Sequence, residues 1–469
     1  MRLGGLLLSL VVGFGLAAAS SSAATFEVTK RGDHAPGPCT RADCTVREAV
    51  LEANASVGVA DRIVLPSRKT YRLAIPGIED GAAAGDLDLT NGRVSIVHPG
   101  RGRATIDANG LDRAVDVYAR SALRKVELRG GVADYGGGLR GSFSRVDLSG
   151  VVVRGNEAAQ CGGGVHTNQD VAITVRRSRV VGNRAAGNGG GLSVSCFGGN
   201  GEVTIIRSTI SGNRSDFDST GNGFGGGIYL QMDSDRQGVI RDSTIAGNNA
   251  GPGATAARGG GLYTDLGQVR ITGSTISRNR TASPGGGINV DGTDPLVVQN
   301  STVANNRSNS NGGGINLTSG EVRLNAVTVA RNLGNADGML SEAGGGLFTT
   351  DATEPFRVRN SLVALNRVQG LMGNPPVAND CSGVDPFVSQ GHNLLSTLAI
   401  GCEGFDAPGD FVRANPRIAR LARNGGPTKT VALKKGSPAI GEAKRSTAPG
   451  KDQRGRKRDR KPDIGAFER

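Results

Sequence analysis

The 469-residue chain contains no tryptophan, and aromatic residues make up only 4% of it. Ordinary globular cores use more large aromatic side chains, so packing here must rest on small aliphatic residues. Six cysteines are too few for a disulfide-dense scaffold, although an even number permits pairing in an exported protein. Beyond the N-terminus no apolar run is long enough to span a bilayer, which argues against a protein with several membrane spans.

The N-terminus holds the longest apolar run. Arg2 precedes an apolar stretch over residues 6–19, and small residues continue to Ala24. This order predicts a signal peptide over residues 1–23 and a secreted, extracellular or cell-surface protein. An uncleaved anchor is the alternative, although the run is slightly short of the ~20 residues that cross a bilayer.

Glycine, in contrast, is abundant, with 75 residues. A Gly-Gly-Gly triplet followed by one aliphatic residue recurs at intervals of 26 to 36 residues, which indicates a repeat architecture. The triplets begin at positions 136, 162, 189, 225, 259, 285, 312 and 344.

A second marker is an asparagine that follows each valine- or isoleucine-rich stretch. Between the markers apolar residues alternate, as at Val171, Ile173 and Val175, which is the period of a strand and excludes a helical solenoid. Units of about 27 residues with two or three short strands predict an all-β, right-handed parallel β-helix of roughly ten or eleven coils. A β-propeller is the alternative, but its units are nearer 40 residues and carry aromatic signatures.

In such a solenoid, equivalent residues stack about 4.8 Å apart. Identical asparagines at that spacing can bond through their amides, and asparagine tolerates the left-handed backbone of a sharp turn. We therefore predict a structural ladder formed by Asn183, Asn213, Asn248, Asn279, Asn306 and Asn332.

Both ends of a β-helix need covers. Thr45 and Glu48 have the spacing of a capping box, which predicts a short amphipathic helix at the N-terminal end. After Phe411 the repeat markers stop, and a Gly/Pro/Lys/Arg-rich segment is expected to pack across the last coil as a C-terminal cap. The expected organisation is a signal peptide at 1–23, an N-terminal cap and first coils at 24–110, repeats at 111–411 and a basic cap at 412–469.

Several motifs resemble known modules. Cys44-Thr-Val-Arg-Glu-Ala49 resembles the motif of the CSLREA domain, with conservative departures at Thr45 and Val46. The triplets and asparagine markers resemble polymorphic outer-membrane protein repeats and the pectate-lyase-like β-helix superfamily. Four C-terminal stretches resemble the choice-of-anchor Q domain: Asn424-Gly-Gly-Pro-Thr428, Gly436-Ser-Pro-Ala-Ile440, Asp452-Gln-Arg-Gly455 and Asp463-Ile-Gly-Ala-Phe-Glu468.

These resemblances imply export and a bacterial cell-surface setting, without a shared set of catalytic residues. Neither a sorting tail nor a β-barrel region follows the repeats, so we expect no integral membrane anchor. We expect a monomer whose partners are cell-envelope polymers or glycans.

The best candidate cleft lies on an outward strand face. Asp265 and Asp291 fall at equivalent positions of adjacent coils, beside Tyr229 and Tyr263, which predicts a binding site for a sugar or a cation. The alternative is a pair of acids on a solvated face, because no lysine or arginine other than Arg140 occupies the same columns.

Other catalytic and metal patterns are weak. Asp86 and Asp88 lie close together but lack the rest of a calcium loop, which favours a turn or capping role. The four histidines are scattered and no Gly-x-Ser-x-Gly motif occurs, so we expect no zinc site, no serine hydrolase and no cofactor, with calcium as the one possible ion. The leading hypothesis is a non-enzymatic β-helix protein with an elongated, adhesin-like or glycan-binding face; the alternative is a polysaccharide lyase or glycoside hydrolase.

The cysteine spacing suggests accessory disulfides. Cys39 is close enough in sequence to bridge to Cys44, and Cys381 with Cys402 can close a segment near the last coil. A Cys161–Cys196 bridge requires a bent turn, because the two residues flank equivalent strands from opposite ends.

Charge is concentrated in the C-terminal segment. Residues 413–469 hold 17 Lys and Arg against 5 Asp and Glu, and the rest of the chain is nearly balanced. This excess predicts a patch that binds anionic surfaces, with a solubilising surface as the alternative. No aromatic residues interleave with the charges, so specific nucleic-acid binding is not expected. The patch is centred on Arg454, Arg456, Lys457, Arg458 and Arg460.

Overall fold

The computed structural model describes residues 22–469 apart from 220, 222, 252–255, 340–343, 351–354 and 385–386. The chain forms a right-handed parallel β-helix of about eleven coils, which confirms the predicted fold class. Each full coil contributes one strand to each of four parallel sheets, which we call C, A, B and D in the order in which the chain passes through them. The predicted signal peptide lies outside the described residues except for its last two positions.

The strands are short, and each pairs with the equivalent strand of the next coil. Within the described ranges sheet C contains Leu87–Leu89, Val115–Val117, Leu139–Gly141, Val165–Thr167, Leu192–Val194, Ile228–Gln231, Leu262–Asp265, Ile288–Asp291, Ile315–Ser319, Leu347–Thr349 and Cys381–Gly383. Sheet A contains Thr25–Glu27, Arg62–Val64, Val94–Val97, Ser121–Arg124, Val146–Ser149, Ala172–Arg176, Glu202–Ile206, Gln237–Arg241, Gln268–Thr272, Leu296–Gln299, Val322–Asn325, Phe356–Arg359 and Val388–Ser389.

The remaining strands form the other two sheets and a small hairpin. Sheet B contains Thr70–Arg72, Ala104–Asp107, Val126–Arg129, Val152–Arg154, Arg179–Val181, Thr209–Ser211, Thr244–Ala246, Thr275–Ser277, Thr302–Ala304, Thr328–Ala330, Leu362–Ala364 and Leu394–Leu395. Sheet D contains Val132–Tyr135, Glu157–Cys161, Arg184–Ala185, Arg214–Ser215, Asn249–Ala250, Arg280–Thr281, Arg307–Ser308, Leu333–Gly334, Arg367–Val368 and the antiparallel Val377–Ala378. Outside the coils, Ile418–Ala422 pairs with Thr430–Leu433, and a 3₁₀ turn spans Leu371–Gly373.

The bore of the solenoid is filled by aliphatic residues from successive coils. Leu262 pairs with Ile288, which pairs in turn with Ile315, and all three are fully buried. Stacking of branched side chains at the strand spacing buries apolar area without aromatic residues, which explains the unusual composition.

The N-terminal end is covered by the predicted helix, which spans Val46–Ala55. The Thr45 hydroxyl accepts a hydrogen bond from the backbone of Glu48, whose carboxylate accepts one from the backbone of Thr45, so the capping box is complete. The helix buries Ala49, Val50 and Ala53 against the first coils.

The repeated asparagines lie at the turn between sheets B and D. The side-chain nitrogen of Asn279 donates to Oδ1 of Asn306, and Asn306 donates to Asn332 in the same way, each at 3.0 Å. The left-handed residue of this turn precedes the ladder asparagine, as at Arg278 with φ 57°, so the expectation that the asparagine itself adopts that conformation is wrong. The same amide contact runs through Asn156, Asn183, Asn213, Asn248, Asn279, Asn306, Asn332 and Asn366.

The glycine triplets make room for this ladder. A Cβ atom on Gly261, the third residue of its triplet, would lie 2.7 Å from the side-chain nitrogen of Asn279 and 2.6 Å from the carbonyl of Gly287. Gly259, the first residue of the same triplet, has a φ of 67°, which disfavours other residues. The two sequence markers are therefore two sides of one packing contact.

The C-terminal segment lies on the flank of the rod. Residues 387–411 close the end of the bore, where the ring of Phe405 lies 5.7 Å from that of Phe387. Beyond them the chain turns back over the outer face of sheet B, and Val431 and Phe467 pack on Leu362 in a second apolar core. The expectation that this segment packs across the last coil was therefore incomplete. The segment also covers apolar residues on the outer face of sheet B.

Three disulfides link Cys39 to Cys44, Cys161 to Cys196 and Cys381 to Cys402. Cys161 ends a five-residue strand that carries it toward Cys196, and the two Cα atoms lie 6.4 Å apart. Disulfides of this kind are typical of extracellular or secreted proteins. Among the described helices, none is long and apolar enough to cross a membrane.

Candidate functional site

Sheet C carries the candidate site on its outer face. The residues that point away from the bore there, such as Tyr229, Tyr263 and Asn289, are nevertheless buried. The sheet C strands are short, and loops of variable length leave both of their ends, so side chains on this face lie between two walls of loop. This corrects the expectation of a simply solvated column.

The four predicted cleft residues do form one cluster. The rings of Tyr229 and Tyr263 stack with centroids 5.4 Å apart, and the Tyr263 hydroxyl donates to Asp291 at 3.0 Å. Asp265 accepts a hydrogen bond from Gln231 of the preceding coil at 3.3 Å. We call Tyr229, Gln231, Tyr263, Asp265 and Asp291 the tyrosine–aspartate cluster.

A basic residue that the sequence columns did not reveal completes this cluster. Arg258 lies 2.7 Å from an oxygen of Asp291, to which it also donates a hydrogen bond. Arg258 lies in the turn before a glycine triplet. The sequence columns contain only equivalent strand positions of successive coils, so they did not predict this residue. Its position directly before the triplet at 259 is the signal that could have found it.

The two carboxyl groups of the cluster differ in environment. Burial and the neighbouring charge of Asp291 raise the pKa of Asp265 above its usual value. Asp291, in contrast, is held by a guanidinium and a phenol. Burial, together with the two carboxylates, raises the pKa of both Tyr229 and Tyr263, so both phenols are hydrogen-bond donors at neutral pH.

A groove of about 420 Å³ lies nearer the N-terminus on the same face. Phe143 and Phe197 stand on its walls with 74% and 73% of their surfaces exposed. The ring of Tyr135 lies 5.2 Å from that of buried His166 and 6.2 Å, edge-on, from Phe197. Further polar lining comes from Arg140, Ser142, Asn168, Gln169, Asp170 and Ser195; we call the whole the aromatic groove.

The floor of the aromatic groove is polar but carries no unbalanced charge at His166 or Arg140. Burial lowers the pKa of His166 to about 4, so its imidazole is neutral at physiological pH. Its Nδ1 atom has no hydrogen-bond partner within the described chain. The guanidinium of Arg140 is neutralised by an ion pair with Asp116 and donates to the Tyr118 hydroxyl at 2.7 Å.

The first coils bring together a group of carboxylates, of which Asp88 and Asp116 are buried and Asp80 is exposed. Oxygen atoms of Asp80, Asp88 and Asp116 lie within 4.8 Å of one another. Arg113 bridges Asp86 and Asp116 at 2.9 and 3.1 Å. The group is therefore already held together by cationic side chains, and Asp116 was missed because its coil has no glycine triplet.

Asp86 and Asp88 are both fully buried. Asp88 accepts a hydrogen bond from the backbone of Ala82 at 2.8 Å, which fits the predicted turn role. Burial and the charges of nearby carboxylates raise the pKa of Asp88 to about 7, and burial together with Asp88 raises that of Asp86. Carboxylate oxygens would suit calcium, but guanidinium groups already hold oxygens of Asp86 and Asp116.

A second set of possible ligands lies at the N-terminal cap. His34 lies 3.3 Å from Asp43 and 3.8 Å from Glu48, a proximity that the scattered histidines did not suggest. Both carboxylate oxygens of Glu48 accept backbone hydrogen bonds, from Gly37 and Thr45, so this residue serves the helix cap.

Only some residues of the predicted basic patch are exposed. Arg458 is buried, lies 2.9 Å from Glu468 and donates to Asn300. Arg454 pairs with Asp452 at 2.8 Å, and its guanidinium lies 3.7 Å from the Phe467 ring centroid. Both arginines thus hold the C-terminal cap together, because the segment supplies its own carboxylates. The exposed members are Arg456, Lys457 and Arg460.

Comparison with known proteins finds a family model and a solved structure that are similar to this chain. Residues 194–375 match a family model described as a right-handed β-helix region. Among solved structures, the crystal structure of pectate lyase Pel9A is similar, with 15% sequence identity, a TM-score of 0.47 and coverage of 96% of this chain and 97% of that chain. The search of curated proteins finds no match.

Proposed function

We propose that this protein is an exported polysaccharide-binding β-helix that holds its ligand along the outer face of sheet C without cleaving it. The observation that carries the proposal is the aromatic groove, where Phe143 and Phe197 are largely exposed above a polar floor. Exposed aromatic rings beside hydrogen-bonding groups form an amphipathic surface that matches a sugar ring, which has apolar faces and polar edges.

The chemistry of the groove supports binding more than catalysis. General acid–base cleavage of a glycan needs two groups placed on either side of the reacting bond. In the groove His166 is neutral, Arg140 is engaged with Asp116, and Asp170 is exposed at the rim. The amides of Asn168 and Gln169 are suited to sugar hydroxyls.

A polysaccharide-active enzyme is the second candidate, and the tyrosine–aspartate cluster favours it. Asp265 has a raised pKa, and Asp291 next to it contacts a guanidinium and a phenol. Carboxyl groups whose environments differ in this way can serve as acid and base. This hypothesis places catalysis two coils away from the aromatic groove.

Export and surface attachment belong to the same proposal. The apolar segment in residues 1–23 supports secretion, and the three disulfides support an oxidising compartment. The motifs at Cys44 and Asp463 support membership of the CSLREA and choice-of-anchor Q groups. The exposed residues Arg456, Lys457 and Arg460 would contribute to contact with anionic envelope polymer.

Affinity electrophoresis of the mature protein in gels that contain a neutral polymer, xylan or β-glucan, tests the binding proposal. We expect retardation by at least one polymer and its loss in Phe143→Ala/Phe197→Ala. Ile400→Ala is the matched control, because this residue is equally apolar and 93% exposed but lies at the far end of the rod. Equal retardation of all variants, or none of the wild type by any polymer, would refute the assignment.

A further inference from the structure

A second groove lies on the outer face of sheet A, in the last coils. It has a volume of about 480 Å³, and four arginines line it. Arg323 pairs in register with Arg357 of the next coil, and Arg270 lies in the same column two coils before Arg323, with Val297 between them. Arg359 lies two residues beyond Arg357 on the same outward face. We call these residues the arginine groove.

The cationic charge of this groove exceeds the acidic charge that faces it from described residues. Glu321 accepts hydrogen bonds from Arg323 at 2.7 Å and from Arg357 at 2.6 Å. Neither Arg270 nor Arg359 has a side-chain hydrogen bond or ion pair to a described residue, and Arg270 is exposed. Two guanidinium groups are therefore available for an anion.

The C-terminal segment lies beside the arginine groove. Asn325, which lines the groove, donates to the backbone carbonyl of Thr447 at 3.0 Å. Asn300 and Asn360, which follow lining residues Gln299 and Arg359, bond to the backbone of Lys451 and Lys444 at 2.7 and 2.8 Å. This part of the segment carries exposed cationic side chains at Lys444, Arg445 and Lys451.

We infer that the arginine groove binds a linear acidic polysaccharide, one that bears carboxylate, sulfate or phosphate groups at intervals along the chain. Arg270 and Arg359 lie three coils apart, which is about 14 Å along the rod at the strand spacing, so repeated anions along a polymer can meet them in succession. Among the described residues that line the groove, none is an aromatic residue on which nucleic-acid bases could stack, which favours a glycan over a single-stranded nucleic acid. The site lies on a different sheet from the aromatic groove and does not depend on it.

Binding of the intact mature protein to dextran sulfate and polygalacturonate, measured across a salt series, tests this inference. The variant is Arg270→Gln/Arg359→Gln, which leaves the Glu321 pairs in place. Arg101→Gln/Arg120→Gln removes the same charge from exposed positions of the first coils and is the matched control. Neutral dextran and a single-stranded oligodeoxynucleotide complete the set of probes.

We expect the groove variant to bind at least one acidic polymer about tenfold more weakly at low salt and with a shallower salt dependence, and the control to change less than about twofold. Equal losses in the two variants would mean that general positive charge is responsible, and would overturn the inference. Tighter binding of the oligodeoxynucleotide than of either acidic polymer would also overturn it. The Phe143→Ala/Phe197→Ala variant should bind acidic polymers normally, so the two proposals can fail separately.

Discussion

Asn279 donates its side-chain amide to Oδ1 of Asn306 at 3.0 Å, and the same oxygen accepts the backbone N–H of Asn279 at 3.0 Å. Each ladder oxygen thus satisfies two donors of the preceding coil. The other amide contact of Asn279 is to the carbonyl of Ile245, one coil back. At the far end Asn366 donates to Asp380, which ends the series with a carboxylate. One residue type per coil therefore joins three successive coils.

Replacing Asn279 or Asn306 with alanine should lower the free energy of unfolding by about 1 to 3 kcal/mol, because buried donors and acceptors of neighbouring coils lose their partners. Urea unfolding followed by circular dichroism measures the change. Asn309→Ala is the control, since this half-buried residue lies in the same coil outside the ladder. Equal midpoints for all three variants would show that the ladder contributes nothing.

Gly261→Ala should destabilise the solenoid by roughly 1 to 3 kcal/mol or more, because its methyl group would meet backbone and the Asn279 amide. Gly450→Ala is the control, as a Cβ atom there meets nothing within 4 Å. The same urea titration compares the two. A smaller loss for Gly261 than for Gly450 would contradict the contact between triplet and ladder.

The sequence predicted the solenoid well because its period depends on local residues. The glycine triplets and the asparagines each recur once per coil, and the capping box at Thr45 is a local signal. Two features depend on tertiary contacts, and the sequence did not predict them. Burial of Arg458 needs a partner ten residues away and a folded flank, and Arg258 reaches Asp291 from a turn in another coil.

Asp88→Asn should stabilise the protein at pH 8 and change it little at pH 4. The folded-state pKa of Asp88 is raised to about 7, so the folded state binds the proton more tightly than the unfolded state. The stability from this group is complete below its usual pKa and is lost as pH rises through about 7. The asparagine is neutral at every pH, and we expect a gain of roughly 1 to 3 kcal/mol at pH 8.

Urea midpoints of wild type and Asp88→Asn from pH 4 to pH 9 measure this difference. Asp170→Asn is the control, because that carboxylate is exposed. Parallel curves for wild type and Asp88→Asn would show that Asp88 titrates normally in the folded protein.

Loss of the Cys161–Cys196 bridge should weaken both stability and glycan binding. The bridge closes a 35-residue loop, and Cys196 lines the aromatic groove next to Phe197. Cys161→Ser/Cys196→Ser should cost about 2 to 4 kcal/mol. Cys39→Ser/Cys44→Ser opens a separation of only 5 residues and should cost less in stability and nothing in binding. A larger loss of stability and binding in Cys39→Ser/Cys44→Ser than in Cys161→Ser/Cys196→Ser would contradict this prediction.

The mature protein should not cleave acidic glycans, although Asp265 and Asp291 lie in adjacent coils. Asp291 is tied to Arg258 and Tyr263, and the stacked rings of Tyr229 and Tyr263 are themselves buried, so the carboxylates are held by protein groups. A catalytic pair must instead present one carboxyl group to each side of a bound sugar.

We therefore expect no unsaturated products and no new reducing ends from pectin, polygalacturonate or alginate, with or without calcium. Turnover that is abolished separately by Asp265→Asn and by Asp291→Asn, while both variants keep wild-type urea midpoints, would establish the enzyme instead. Turnover that survives both substitutions and repurification would place the activity elsewhere on the protein and would also contradict the prediction.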